Sequence, residues 1–328
     1  MPGLSAGPEL PPAPSAAVSG GEVAFGAYVG RCADVDWSGA ATKAAWRLRQ
    51  WKRWHYVSIT GPEVILAVAV VDLGWAGSCF TYLFDRRQGR LLADLSMTAP
   101  GGRGITVAGP SGGGALTECR SRRLFVQLRG EDGGRWRLEA RSPACTVDAT
   151  LVETDAGPTM CAVAPVPGGV ADCTHKTPAL AVEGLASAGG VRFDLHGATG
   201  ALDHTSGLLA RTTSWRWASA GDRRSAFNLT EGFTAPVENV LWHEGQVQAL
   251  GPVQFAFDPR RPQAPWAITG PSGSVDLEFV PEGIRASDVR LVVARSRYVQ
   301  PVGTFRGTVG GVRIEAMAGV TEDHLARW

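Results

Sequence analysis

The chain has 328 residues, 44% of them apolar and 19% charged, which suits one large or two ordinary folded domains and excludes a disordered chain. Its 32 basic residues nearly cancel its 31 acidic ones, so neither a nucleic-acid surface nor a polybasic membrane anchor is implied. The 42 glycines and 21 prolines are spread along the whole length, which favours many short strands joined by turns.

Residues 1–22 (MPGLSAGPELPPAPSAAVSGGE) are rich in Pro, Gly, Ala and Ser and read as a tail with too little apolar surface to order itself. They lack the basic start and apolar stretch of an export signal. The best helix candidate is Thr42–Lys52, where Trp46 and Gln50 share a face. Its basic cluster of Arg47, Arg49, Lys52 and Arg53 reads as a solvated face. Trp54–Ile59, Val64–Asp72 and Ser78–Phe84 then read as successive strands. Val64–Val71 is the longest apolar run and is too short to span a bilayer as a helix. A turn at Asp85–Gly89 leads into a strand over Arg90–Met97. Arg123–Leu128 and Trp136–Arg141 form a hairpin around Glu131–Gly134. In the second half Val253–Phe257, Val275–Phe279 and Val289–Ala294 have the same character. The expected fold class is all-β: two related antiparallel barrel or sandwich lobes with few helices. The six cysteines (Cys32, Cys79, Cys119, Cys145, Cys161, Cys173) form no C-x-x-C pair and read as reduced thiols of a cytoplasmic protein.

An internal repeat organises this pattern. Residues 177–204 and 300–324 share a Pro, a Gly six positions later (Pro178 and Gly184; Pro301 and Gly307) and the turn Gly-Gly-Val-Arg (Gly189–Arg192; Gly310–Arg313). Each ends in an Asp-His pair, Asp203-His204 and Asp323-His324. Earlier in each half, Trp54-His55-Tyr56 and Trp215-Arg216-Trp217 open a strand run that leads to a turn, at Phe84–Gly89 and Trp242–Gly245. The expected organisation is the tail, a first lobe over 23–204 and a second over 205–328. Two similar lobes packed side by side create a cleft, and such clefts favour ligands.

Gly109–Gly113 matches the G-x-S-x-G nucleophile pattern literally. It lacks the strand–elbow–helix context, and Gly270–Gly273 repeats its core, so Pro-Ser-Gly reads as a turn. The six histidines show no H-x-H or H-E-x-x-H spacing, and no phosphate loop occurs, so neither a metal nor a cofactor is expected. What stands out is a set of polar residues among indoles. Asp203, His204, Glu238, Glu322 and His324 are the catalytic candidates, because a carboxyl or imidazole enclosed by Trp has a shifted pKa. Lys176, Trp215, Trp217, Asn228, Glu231, Asn239, Trp242 and Gln300 are the binding candidates. Trp46, Trp51 and Trp136 read as core.

The segments WKRWHYVSI (51–59), AVVDLGWAGSCFTYLFDRRQG (69–89), LDHTSGLLARTTSWRWASA (202–220), FNLTEGF (227–233), VENVLWHEG (237–245) and GVTEDHLARW (319–328) together resemble a bacterial family known as domain of unknown function 2804. More distantly, a two-lobed β protein of this size is similar to the lipocalin-like group. That group includes hydroxyneurosporene synthase, which hydrates a carotenoid double bond, and cyclases of natural-product pathways. The resemblance implies architecture and transfers no residue roles.

The resulting expectation is a small, largely apolar ligand held within or between the lobes, with no nucleic-acid partner and no integral membrane association. Cofactor-free hydration, isomerisation or cyclisation would use Glu238, Asp203 or Glu322 for the proton, with His204 or His324 relaying it. A carbohydrate-active protein with Trp platforms and paired carboxylates is the alternative, and a cavity-free structural protein the third reading.

Overall fold

The computed structural model describes residues 9–40, 50–109, 111–290 and 294–328. Alternating apolar residues build two antiparallel sheets. The first is a nearly closed barrel and the second a half-barrel, and strands make up nearly all of the regular structure among the described residues. The first sheet runs, in pairing order, from Arg90–Pro100 through Ala76–Asp85, Val64–Asp72 and Trp51–Thr60 to Thr199–Leu208 and Ala171–Ala188, then on through Cys145–Val152, Arg135–Arg141 and Phe125–Glu131. The second runs from Gln246–Ala249 through Val240–His243, Ser225–Gly232 and Thr212–Gly221 to Val312–Arg327, Arg295–Val309 and Val275–Arg290. The sheet changes between Leu208 and Thr212, a few residues past the boundary expected at 204.

The two sheets have the same order about their centres. In each, the first long strand of the lobe pairs on one side with the strand that follows it and on the other with the lobe's last strand. That last strand is reached through a Gly-Gly turn, Gly189-Gly190 or Gly310-Gly311, all with positive φ as a tight hairpin turn requires. The register corrects one expectation. Asp203 pairs with Tyr56, and Glu322, not Asp323, pairs with the matching Trp217. Asp203 therefore corresponds to Glu322, and His204 to Asp323. The spacing from Gly-Gly-Val-Arg to the Asp-His pair differs by one residue between the copies, and a one-residue slip reverses the face of every side chain.

Val64–Asp72 shows how the lobes meet. Leu66, Val68 and Val70 fill the barrel core with Val57, Leu138 and Leu151, while Ile65, Ala67 and Ala69 face the other way onto Trp217, Val302 and Val320 of the second sheet. A strand buried on both faces reads as an unbroken apolar run, as this one does. Its burial also brings the outer face of the barrel against the half-barrel.

One expectation changes here, and two others run beyond the described residues. Residues 9–22 do not lack structure: Ala13 donates to the Val29 carbonyl, Val29 to that of Pro11, and Val18–Ser19 pairs with Glu22–Val23 over a fully buried Ala17. Backbone pairing needs no large side chains, so composition alone misled. The helix expected over Thr42–Lys52 falls mostly outside the described residues, and its Trp51 and Lys52 open a strand. Of the strand expected over Val289–Ala294, Val289 and Arg290 end a strand and residues 291–293 lie outside the described residues.

Candidate functional site

A cavity of about 220 Å³ lies between the outer face of the barrel and the face of the half-barrel opposite that sheet's own apolar core of Ala218, Phe227 and Phe305. Aromatic rings line its walls, among them those of Trp54, Trp215, Trp217, Tyr56, Phe80 and Tyr298. Trp54 and Trp215 stack at 6.1 Å between centroids, one from each sheet.

The barrel wall carries a cluster of acids. Residues 172, 174 and 176 share one face of Ala171–Ala188 and pair with Gly207, Thr205 and Asp203 of the neighbouring strand. Lys176 Nζ donates to Asp203 Oδ2 at 2.5 Å and lies 3.1 Å from Glu238 Oε2. Thr174 donates to Asp203 Oδ1, and Thr234 donates to Glu238 Oε1. Burial alone would strip the Lys176 proton, but Asp203 and Glu238 outweigh it and hold the ammonium charged. Burial raises the Asp203 carboxyl, with Lys176 acting against it.

Asp172 is the residue that sequence reasoning missed. It is fully buried and neither carboxyl oxygen has a hydrogen-bond partner, yet it lines the cavity. Gly207 opposite makes room for it, since a Cβ there would lie 2.2 Å from Asp172 Oδ1. Burial pushes its pKa well above the ordinary carboxylate range and nearby Glu238 adds to this, which favours the protonated acid. The available signal was the alternation Asp172-x-Thr174-x-Lys176, which places an acid four residues from a singled-out lysine on one face.

The half-barrel wall is a relay of hydrogen bonds around Glu322. Tyr82 donates to Gln300 Oε1 at 2.6 Å, Gln300 Nε2 donates to Glu322 Oε2 at 2.9 Å, and Trp215 Nε1 donates to Glu322 Oε1 at 2.8 Å. His324 Nδ1 stands 3.5 Å from the same oxygen and its Nε2 meets Ser296 Oγ.

The structure thus brings Lys176, Asp203, Trp215, Trp217, Glu238, Glu322 and His324 to one cavity, with Gln300 behind Glu322. It places the other candidates elsewhere. His204 alternates with Asp203, so its ring points into the barrel and its Nε2 meets the Ala108 carbonyl at 2.9 Å. Asn228 accepts from Trp217 Nε1 and donates to the Glu238 carbonyl, which braces the wall from behind. Asn239 satisfies the Thr230 N–H and the Gly251 carbonyl. Glu231 pairs with Arg216 and the Phe255 N–H. Trp242 packs with Met160 and Val240 and donates to the Pro158 carbonyl. Ser111 is buried and does not line the cavity.

All six cysteines are buried and unbridged. Cys161, Cys173 and His175 are the one group among the described residues whose ligand atoms lie within 4.8 Å of one another. His175 Nε2 accepts the Cys32 backbone N–H at 3.1 Å, which puts its proton on Nδ1. The ring could offer a lone pair to an ion only by giving up that bond. No helix among the described residues is long and apolar enough to cross a membrane.

A family model described as a domain of unknown function (DUF2804) matches residues 15–328. No curated protein matches the chain significantly. Among solved structures, a Nitrosomonas europaea protein assigned as AttH superposes with a TM-score of 0.58 at 16% identity, covering 88% of this chain and 98% of its own. CghA, solved with Sch210972, gives 0.58 at 11% identity over 85% and 89% of the two chains. Kievitone hydratase from Nectria haematococca gives 0.54 at 12% identity over 84% and 88%. At these identities the likeness establishes the lipocalin-like fold alone.

Proposed function

This chain belongs to the DUF2804 family, and because that description assigns no activity we propose one from the cavity: binding of a small, largely apolar molecule between the lobes, with cofactor-free acid–base chemistry on an unsaturated bond. The carrying observation is Asp172, a buried and unpartnered carboxyl in the wall of an aromatic cavity beside the Lys176–Asp203–Glu238 cluster. Its burial raises its pKa, which favours the form that can donate a proton. In this reading Asp172 protonates one carbon of the double bond. Positive charge develops on the other, against the faces of Trp54, Trp215 and Trp217. The Lys176 ammonium steadies the Asp172 carboxylate left behind. Water then adds and returns its proton to Asp172 (hydration), or a neighbouring C–H bond does so (isomerisation).

The donor role moves here from Glu238 to Asp172, since both Glu238 oxygens are engaged, by Lys176 and Thr234. The hydratase among the structural neighbours fits this chemistry, and the fold alone connects the two. The carbohydrate reading has less support, because Asp203 and Glu238 share one lysine instead of facing each other across a groove.

Native mass spectrometry of protein from its own host should reveal a retained apolar molecule. Incubated with the protein in D₂O, that molecule should take up deuterium at carbon, and Asp172→Asn should stop the uptake while leaving binding intact. A recovered ligand that stays unlabelled with the unsubstituted protein would exclude the acid–base role.

A further inference from the structure

The cavity wall also holds hydrogen-bond donors that have no partner in the protein. Tyr298 is nine-tenths buried and its hydroxyl has no partner. The Tyr56 hydroxyl stands beside Tyr82 and Gln300 without a hydrogen bond of good geometry to either. Both rings pack near Phe80, at 6.5 and 5.6 Å between centroids, and both line the cavity. Arg285 closes the corner, its guanidinium 4.0 Å from the Phe80 ring centroid and 5.0 Å from that of Tyr298. Burial raises both phenols well above their ordinary range, so each keeps its proton and can only present it to an acceptor or leave it unsatisfied. Unsatisfied buried donors are costly, and a ligand oxygen would relieve that cost.

Charge decides which oxygen. Arg285 is already spent on Asp94 and Ser96, through Nε at 2.9 Å and Nη2 at 2.7 Å. Glu322 lies close enough to act on both phenols. An anionic ligand would bring a second negative charge beside Glu322 while Arg285 is already paired with Asp94, whereas a neutral carbonyl accepts two hydroxyls without adding charge. We propose that the Tyr56–Tyr298 corner binds the carbonyl oxygen of a neutral ketone-type ligand, at the end of the cavity remote in sequence from Asp172. This rests on the small-molecule reading above and narrows the ligand to an apolar body bearing a ketone. With a conjugated ketone, the same hydrogen bonds would polarise the double bond that Asp172 addresses.

A matched pair of probes separates the two ideas. An engineered cavity of about 150 Å³ takes benzene, so a cavity of about 220 Å³ should take the bicyclic indane and 1-indanone. Calorimetric titration of the whole protein should show 1-indanone binding about tenfold tighter than indane. Tyr298→Phe, and separately Tyr56→Phe, should erase most of that preference and leave indane affinity unchanged. Neither substitution endangers folding, since each removes a hydroxyl that bonds nothing well. Equal binding of both probes to the unsubstituted protein overturns the carbonyl site and leaves the cavity reading standing. Binding of neither overturns the cavity reading, and the carbonyl site with it.

Discussion

Lys176 is the residue on which the acid cluster balances. One buried ammonium faces Asp203 and Glu238, beside Asp172, whose carboxyl burial pushes toward its protonated form. Replacing it with Met keeps the stem and removes the charge, which leaves two buried carboxylates facing each other. Loss of one partner from such a cluster costs about 3–5 kcal/mol. Lys176→Met should therefore lower the urea midpoint strongly at pH 7. The deficit should shrink on acidification, because the stranded carboxyls then pick up protons and stop repelling. A variant as stable as the parent at pH 7 would mean that the ion pairs contribute nothing net. Sequence gave partial sight of this cluster. Lys176, Asp203 and Glu238 stood out by their aromatic neighbours, whereas Asp172 lies in a run of small residues and carries no motif. Its role comes from what surrounds it in space, a glycine opposite and no donor within reach, and neither is encoded locally.

At the scale of elements, the repeated glycines have a shared physical reason. Gly184 has φ +133° and Gly307 has φ +131°. A Cβ on the first would lie 2.2 Å from the Asp148 carbonyl oxygen and on the second 2.0 Å from that of Asp276, each on the neighbouring strand. Both long strands need a residue without a side chain at the same point of their bend. Gly184→Ala and Gly307→Ala should each cost about 2–4 kcal/mol, combining backbone strain with a forced strand separation. Thermal melts of the two variants test this, and a loss under 1 kcal/mol in either would remove the steric argument for that strand. These glycines were legible from the repeat, as were the hairpins and Val64–Asp72. The register was not, because counting positions between motifs cannot see where a strand bulges, and the lobes bulge differently. The exchange of His204 for Asp203 on the cavity face follows from that parity alone.

At the scale of the whole molecule, Ala171–Ala188 and Thr199–Leu208 serve two interiors at once, and this sets how the protein responds to acid. Their outward face gives the cavity its acids, while their inward face gives the barrel His175 and His204, beside His55 from the next strand. The rings cluster, with His55 and His204 5.2 Å apart and His175 and His204 5.8 Å apart between centroids. Burial pushes all three well below their ordinary pKa, His204 to about 4. Each is therefore neutral when folded, whereas the unfolded chain protonates the same rings below about pH 6.5. The unfolded state then binds more protons, so stability falls as pH drops from about 6.5 toward 4, by about 1.4 kcal/mol per pH unit for each histidine. Asp172 acts in the opposite sense. With its pKa raised on folding it holds its proton to higher pH than the unfolded chain does, so it lowers stability as pH rises above about 4, and the raised carboxyl of Asp203 acts in the same sense. The three imidazoles outnumber these two acids, so the net is a loss of stability on acidification below about pH 6.5. Denaturant titrations at half-unit steps from pH 5 to 8 measure the slope. His204→Gln should reduce it, and Asp172→Asn should steepen it, since one opposing acid is gone. A flat profile between pH 5 and 6.5 would show that the histidines are hydrated in the folded protein, which would open the barrel interior to water and leave the cavity between the lobes as the drier of the two spaces.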